Sequence, residues 1–354
     1  VNYMILKGGA IKNGTVTSTS FAGAGVATSS GITSFTNDDK GWGGNIGVFG
    51  NGAFVMQDGE VSGGRVTASG TGVAFGGNIG AVSNVNSSKA LNRSNIYIFG
   101  GLIKNGIVES TSTATQSFSC YGANIAAGGP ASYYTDGQAN LYIHGGTITQ
   151  DNVPGKTPTY GAFYRGTEEK NAHGGNIVYT YTNEFISGKS RTVNGVAYTG
   201  GPIEISNGYA YSAKGQGVGG NIFQKETSIN MDGVTVKGGT ASHRGGNIYF
   251  NTNVTGHKIT NSTITNGSTE GTGDNGGGNL YVGNGKLTLT NTEISNGTTK
   301  AKGGNIYIAQ QTTVEVVLQS GAILNGTSSA NTGGNMFVSG KFTMNGGEVS
   351  GGKG

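Results

Sequence analysis

Four glutamates occupy one repeated position of this chain and are the acids best spaced to act together. They are Glu60, Glu204, Glu293 and Glu348. Converging carboxylates can act as general acid and as base or nucleophile in the cleavage of glycosides. The intervening repeats carry other residues at this position, among them Leu102, Thr147, Thr263 and Ala322. Because these residues separate the acids, we expect the four glutamates to be solvated surface side chains. The sequence therefore predicts no catalytic residues.

Other residues that support chemistry are few and scattered. No pair of the four histidines has the spacing of metal ligands, so each is expected to be structural. They are His144, His173, His243 and His257. Cys120 is the only cysteine, so no internal disulfide can form and a small buried filler is expected. Residues 271–274 are similar to a calcium-binding repeat, but such sites need several stacked copies. The sequence therefore predicts no metal and no cofactor.

One four-residue phrase recurs through the whole chain, and the structure that it forms must position all of the residues named above. Gly-Gly-Asn followed by an apolar residue returns repeatedly, with one degenerate copy at Gly122-Ala123-Asn124-Ile125. The asparagines of this phrase are Asn45, Asn78, Asn124, Asn176, Asn221, Asn247, Asn279, Asn305 and Asn335. Each copy precedes alternating apolar residues, which indicates a repeat that makes the same turn into the same strand each time.

A second phrase lies between copies of the first and consists of an apolar residue, a polar residue and Asn-Gly or a close variant. Apolar residues stand five and seven positions before it, and this period-two spacing is typical of a strand. Only Gly200 and His257 interrupt the two columns. Each repeat is therefore predicted to hold about three short strands.

The repeats are predicted to stack in parallel and in register as an all-β solenoid. The copies from Val236 onward recur every 26 to 30 residues, which suits one turn of a three-sided coil. Parallel stacking superimposes like residues, so the asparagines are expected to form a hydrogen-bonded ladder at a spacing of about 4.8 Å. About ten coils would give a rod about 50 Å long.

The last coil carries a family resemblance. Gly333-Gly334-Asn335-Met336 and Phe342-Thr343-Met344-Asn345-Gly346-Gly347 are similar to the Gly-Gly-Ala-Ile and Phe-x-x-Asn repeats of polymorphic outer-membrane proteins and related Gram-positive surface repeats. The chain thus resembles right-handed parallel β-helix proteins of bacterial surfaces, with the pectin-lyase-like architecture, although Asn replaces Ala in nearly every copy. The resemblance implies a right-handed coil, an extracellular location on the bacterial cell surface, and a role in adhesion or scaffolding.

Composition agrees with an ordered repeat protein. Glycine accounts for 70 of the 354 residues and recurs at fixed turn positions, which separates this chain from a disordered one. The net charge of +4 comes without a basic cluster, so nucleic acid is not an expected partner. No apolar run approaches the roughly 18 residues of a membrane span.

We expect one continuous solenoid over residues 1–354. Loops widen the coils of residues 1–220, whereas residues 221–354 form nearly bare coils. Most of the 16 tyrosines lie between Tyr121 and Tyr211. Loops on a rigid scaffold often bind ligands, but the tyrosines could equally pack the loops against the solenoid. The candidate contact residues among them are Tyr133, Tyr134, Tyr160 and Tyr164.

The position after the first inward residue of each repeat changes from small to aromatic along the chain. It holds Gly47, Gly80, Ala126, Val178, Phe223, Tyr249, Tyr281, Tyr307 and Phe337 in turn. Period-two spacing predicts that this column points outward. The five aromatic rings could form an exposed stripe that binds glycans or the glycine face of a neighbouring rod. The alternative is an intramolecular stack that stabilises the sheet.

Three functions remain open from the sequence. The first is an extracellular structural solenoid that stacks end to end on copies of itself as a filament or stalk, because no polar caps cover the first and last coils. Caps beyond residues 1–354 would explain the open coils equally well. The second is a surface adhesin that binds glycans or host proteins. The third, a polysaccharide lyase or hydrolase, is weakened by the absence of an acid cluster.

Overall fold

The fold is a parallel β-solenoid, as the sequence predicts. The computed structural model describes residues 3–18, 27–28, 31–32, 41–49, 51–70, 72–82, 93–113, 118–128, 139–152, 157–180, 183–254 and 256–354. These residues form strands and turns and include no α-helix. Five parallel sheets run along the molecule, and we number them walls 1 to 5 in the order in which each coil visits them.

Walls 1 to 3 are the strands that the period-two pattern predicts. The nine strands of wall 1 are Ile46–Phe49, Ile79–Val82, Ile125–Ala127, Ile177–Thr180, Ile222–Lys225, Ile248–Asn251, Leu280–Asn284, Ile306–Ile308 and Met336–Val338. The ten strands of wall 2 are Tyr3–Leu6, Ala53–Met56, Ser94–Ile98, Ala139–Ile143, Asn183–Ser187, Asn230–Asp232, His257–Thr260, Lys286–Thr290, Glu315–Leu318 and Lys341–Met344. The ten strands of wall 3 are Ala10–Lys12, Glu60–Ser62, Leu102–Lys104, Gly146–Thr149, Ile203–Ser206, Val234–Lys237, Thr263–Thr265, Thr292–Ser295, Gly321–Leu324 and Glu348–Ser350.

Two further walls close each coil, beyond the three strands expected from the sequence. The nine strands of wall 4 are Thr15–Ser18, Arg65–Ala68, Ile107–Ser110, Gly161–Tyr164, Tyr209–Ser212, Thr240–Ala241, Ser268–Thr269, Thr298–Thr299 and Thr327–Ser328. The five strands of wall 5 are Gly41–Trp42, Ala74–Phe75, Phe118–Tyr121, Asn171–His173 and Gly217–Val218. Many of these strands are only two residues long and rich in Thr and Ser, so they lack the apolar alternation that reveals a strand in a sequence.

Stacking in register builds the core from like residues. In wall 1, Ile222 pairs with Ile248, Ile248 with Leu280, and Leu280 with Ile306. All four side chains are fully buried in one apolar cluster that extends through the coils. Each coil thus buries its inward side chains against the coils on either side, as expected for a solenoid.

The paired glycines of the recurrent phrase are required by the backbone. Gly245 has a φ of +62°, in the left-handed region that favours glycine. A Cβ on Gly246 would lie 2.1 Å from the carbonyl oxygen of Gly278 in the next coil. The first glycine therefore makes the turn, and the second allows the coils to approach.

An insertion explains the interruption at Gly200. Ile186 pairs with Ile143 and Met231 in wall 2, so it fills the core position that the spacing assigns to Gly200. Between wall 2 and wall 3, this coil carries an antiparallel hairpin with strands Arg191–Val193 and Val196–Tyr198. A second short antiparallel pair joins Ala27–Thr28 to Gly31–Ile32.

Candidate functional site

The asparagines of the recurrent phrase lie over one another and form a continuous hydrogen-bonded chain. In every step, Nδ2 of one asparagine donates to Oδ1 of the asparagine in the next coil, over 2.7 to 2.9 Å. We call this set, from Asn45 to Asn335, the asparagine ladder. The seven asparagines between these two are fully buried. A buried amide column of this length is the most regular polar feature among the described residues.

Each asparagine of the ladder also holds the turn that follows wall 3. The second hydrogen of Nδ2 donates to a backbone carbonyl at the end of wall 3, as in the 2.7 Å bond from Asn279 to Ser295. In eight of the nine cases, Oδ1 also accepts from the backbone nitrogen of a glycine in the corresponding turn of the preceding coil. Asn279, for example, accepts from Gly267 over 2.8 Å. Apart from Asn45, Asn176 and Asn335, the amides therefore use both donors and both acceptor positions, which is the full capacity of the side chain.

Four of the five aromatic side chains of wall 1 are buried, so the expectation of an exposed aromatic stripe is wrong for most of its length. Phe223, Tyr249, Tyr281 and Tyr307 are at most 9% exposed, and only Phe337 in the last coil is partly exposed. Successive rings stack at centroid distances of 4.9 to 5.2 Å. The side chains do leave the main core, but they pack in one cluster with wall 5 residues such as Val218. Beyond the last strand of wall 5, Arg244 lies over the Tyr281 ring and Lys302 over the Phe337 ring. The rings thus form a second, smaller core.

Wall 5 supplies the rings in the coils where wall 1 has small residues. The His173 ring stacks on that of Phe223 at 4.0 Å and an angle of 4°, Tyr121 meets His173 edge to face, and Phe75 packs against Tyr121 at a tilt of 49°. We call the set of Phe75, Tyr121, His173 and the five wall 1 rings the aromatic column. A Cβ on Gly80 would meet the Cβ of Trp42 at 3.3 Å, so the small residues of wall 1 make room for wall 5 side chains. The small residues of wall 1 therefore accommodate large side chains of wall 5 in the same chain, not those of a neighbouring copy.

The candidate tyrosines of the loops differ in burial and in their contacts. Tyr164 is fully buried, and its hydroxyl donates to the Ser112 carbonyl over 2.9 Å. Tyr160 is half-buried, and its backbone is held by the side chain of Asn152. Tyr133 and Tyr134 lie outside the described residues. The structure does not bring Tyr160 and Tyr164 together with the aromatic column in one exposed surface.

The histidines and the cysteine are packed side chains. Burial and the positive charge of Lys225 lower the pKa of His173 to about 3, so its ring is neutral in the stack. His257 occupies an inward position of wall 2 and is 2% exposed. Cys120 is fully buried, and burial raises the pKa of its thiol. No group of histidine, cysteine and acidic side chains able to hold a metal ion occurs among the described residues.

The repeated glutamates of wall 3 pair with neighbours on the outer surface. Glu60 forms an ion pair with Lys12, and Glu204 forms one with Lys237 over 2.7 Å. The glutamates also accept from the serine two residues later, as in the 2.7 Å bond from Ser295 to Glu293. Hydrogen bonds from Ser62 and Lys12 lower the pKa of Glu60, as expected for a solvated and paired carboxylate.

A buried carboxyl escaped the sequence analysis. Glu184 aligns with Leu141 in the inward column of wall 2 and is 5% exposed. One of its oxygens accepts from the backbone nitrogen of Asn230 over 2.9 Å, while the other has no partner in the described structure. Burial raises the pKa of this carboxyl well above its usual value. The insertion that follows Ile186 shifted the apparent repeat and hid this position.

A polar cleft of about 570 Å³ lies on the outer side of the loops around wall 5. Four successive coils line it with Glu169, Asn171, Lys214, Gly215, Gln216, His243, Arg244, Asp274 and Asn275. Asp274 is neutralised by an ion pair with Lys302. Neither Lys214 nor Arg244 forms an ion pair with any described residue. The guanidinium of Arg244 lies 5.1 Å from the ring centre of Tyr281, beside the aromatic column.

No known protein family, characterised protein or solved structure matches this chain. The described residues include no helix with the length and hydrophobicity of a membrane span.

Proposed function

We propose that this chain is an extracellular structural β-solenoid that assembles head to tail into a filament or stalk, and that it is displayed on a bacterial surface. The observation that carries the proposal is the match between its two end faces. Wall 2 begins with Tyr3–Leu6 and ends with Lys341–Met344, and wall 3 begins with Ala10–Lys12 and ends with Glu348–Ser350. A further coil stacked on the first or the last of these strands would continue the same two sheets, because parallel pairing of like strands is the contact that builds the rod.

The side chains of the end faces support the same pairing. Met4 shares an inward column with Phe54 at one end, and Phe342 with Val316 at the other. Met4 and Met344 are both 46% exposed, whereas Leu289, an inward residue of wall 2, is fully buried. Covering the exposed half of each of these methionine side chains would contribute about 0.7–1.5 kcal/mol, about half of the value for full burial. A second copy stacked in register would supply that cover.

Charge also favours this polarity of stacking. Within the rod, Glu204 pairs with Lys237, which stands two positions further along wall 3 in the following coil. In a head-to-tail pair, Glu348 of one copy and Lys12 of the next would have the same relation. Lys12 would then lie between Glu348 and Glu60, just as Glu315 is shared by Lys286 and Lys341. Stacking of two like ends would not form this pair.

Electron microscopy and sedimentation velocity over a concentration series test the proposal. We expect unbranched rods that lengthen with concentration. Met344→Asp should abolish them, because it places an unpaired charge in the contact. Val254→Asp is the matched control, since Val254 is 42% exposed away from the end faces, and it should leave the rods intact.

Exchanging the charges of Lys12 and Glu348 distinguishes specific head-to-tail stacking from non-specific association. Lys12→Glu and Glu348→Lys should each shorten the rods, and the double variant should restore much of the length. Single particles of the unaltered chain at every concentration would refute assembly.

The polar cleft favours adhesion as a second candidate. Lys214 and Arg244 present positive charge, and the amide groups of Asn171 and Gln216 can bond to hydroxyl groups. These groups suit an acidic glycan on a host or neighbouring cell. A glycan array comparing the unaltered chain with Lys214→Ala and Arg244→Ala tests this function, and Lys258→Ala on the outer face of wall 2 is the control. An identical profile for all four proteins would count against the cleft.

A further inference from the structure

Six Asn-Gly turns share one arrangement that bears on their chemical stability. Their asparagines have a left-handed backbone, with φ between 54° and 60°, and are exposed or half-exposed. The backbone nitrogen of the glycine that follows donates to Oδ1 of the asparagine ladder over 2.6 to 3.0 Å. The six asparagines are Asn13, Asn105, Asn207, Asn266, Asn296 and Asn325.

A seventh turn has the same sequence and a left-handed asparagine but lacks the hydrogen bond, and of the seven glycines only Gly195 has a positive φ. Asn194 and Gly195 connect the two strands of the inserted hairpin, where Val193 pairs with Val196. Asn194 is exposed and has a φ of 48°. The Gly195 backbone nitrogen donates to no acceptor among the described residues, and a Cβ on Gly195 would meet nothing within 4 Å. This turn is open to solvent on all sides.

We infer that Asn194 is a site of spontaneous deamidation and that the asparagine ladder protects the six equivalent turns. The Gly195 nitrogen loses its proton and attacks Cγ of Asn194. A C–N bond forms and closes a succinimide, while the bond from Cγ to Nδ2 breaks and the amide leaves as ammonia. Water then opens either imide carbonyl and gives aspartate or isoaspartate at position 194.

The ladder acts on the first step, because the attacking nitrogen must lose its proton and approach Cγ of its own asparagine. In the six protected turns, that N–H is bound to an amide oxygen of the asparagine ladder, and the attack would have to break this hydrogen bond. Exposure of the asparagine itself does not distinguish the sites, since Asn207 and Asn194 are both exposed. The sites differ in the hydrogen bond of the glycine nitrogen and in the glycine backbone, because only Gly195 has a positive φ.

The modification would change the surface beside the hairpin. It replaces a neutral amide by a carboxylate, and isoaspartate adds one carbon to the backbone of a tight turn. The hairpin packs Val193 and Tyr198 against Val55 and Phe99 of wall 2. A disturbed turn would weaken that cover and expose apolar side chains.

Peptide mass spectrometry of the folded, unaltered chain tests the inference. After incubation at mildly alkaline pH, each Asn-Gly peptide is followed by its mass gain of about 1 Da and by isoaspartate content. We expect conversion at Asn194 to be at least about tenfold faster than at Asn207, a difference of about 1.4 kcal/mol in activation free energy. In urea, where the ladder is lost, the two rates should become similar.

Two outcomes would overturn the inference. One is equal conversion of Asn194 and Asn207 in the folded chain, and the other is the same large difference after unfolding. Asn194→Gly should remove the fast product without changing circular dichroism, because the side chain is exposed and glycine adopts a φ of 48° freely. Asn51, Asn275, Asn284 and Asn345 also precede glycine but lack the left-handed backbone, so Asn207 is the matched comparison.

Discussion

Replacement of Asn279 by leucine tests whether the asparagine ladder stabilises the fold. Asn279 is fully buried and makes four hydrogen bonds. It donates to Ser295 and Asn305 over 2.7 Å each, and it accepts from Asn247 over 2.7 Å and from Gly267 over 2.8 Å. Leucine has a similar size and removes all four bonds. This leaves two buried donors without partners, one hydrogen of Asn247 Nδ2 and the Gly267 N–H, whereas the Ser295 carbonyl and Asn305 Oδ1 each keep a second hydrogen bond.

The expected loss follows from the number of groups left unsatisfied. Each buried polar group without a partner costs about 1–3 kcal/mol. Two such groups give a range of roughly 2–6 kcal/mol before relaxation, and local relaxation or water entry would bring the result toward the lower end. We expect Asn279→Leu to lower the free energy of unfolding by about 2 kcal/mol or more.

Urea unfolding followed by far-ultraviolet circular dichroism measures this loss. Asn296→Gly is the control, because Asn296 is exposed with a φ of 55° that glycine adopts freely, and its change should stay within about 0.5 kcal/mol. Hydrogen exchange at the Gly267 amide should accelerate in Asn279→Leu. A loss of less than about 1 kcal/mol would refute the structural role of the ladder.

Two buried titratable groups predict opposite effects of pH on stability. The pKa of His173 falls to about 3 on folding, so stability is lost as pH drops below about 6.5, and His173→Phe should reduce the loss by about 2 kcal/mol at pH about 5, measured by urea midpoints. The pKa of Glu184 is raised by burial, so the folded state keeps its proton and stability is lost as pH rises above about 4.3. Glu184→Leu should therefore raise the thermal midpoint more at neutral than at acid pH. Equal midpoint shifts at both pH values would contradict a neutral, buried carboxyl.

Sequence reasoning works where the repeat is strict. The phrase around Asn247 and the apolar spacing around Ile264 define the coil, the turn and the inward columns, because like residues must superimpose in a parallel stack. The direction in which Tyr249 leaves its strand also follows from the period-two rule. Its burial does not follow, because this depends on packing between Phe223 and Tyr281 in a cluster outside the main core, which the period-two pattern does not reveal.

Insertions account for the other differences. The hairpin after Ile186 separates two parts of one coil, so a fixed spacing counted back from Ile205 falls on Gly200. Glu184 then goes unnoticed as a core residue. The fixed spacing fails here because an insertion between walls changes the count of residues while leaving the stacking of strands unchanged.

The change in which wall supplies the rings of the aromatic column limits how this molecule can gain or lose coils. Wall 5 supplies the rings up to His173, and wall 1 supplies them from Phe223 onward, with 4.0 Å between these two rings. Duplication or loss of coils after Phe223 would join one wall 1 strand with an aromatic residue to another and leave the aromatic column unbroken. Joining a coil from before His173 to one from after Phe223 in another order would place two rings in the same space or leave that space without a ring. Variation in copy number should therefore be confined to the carboxyl-terminal coils.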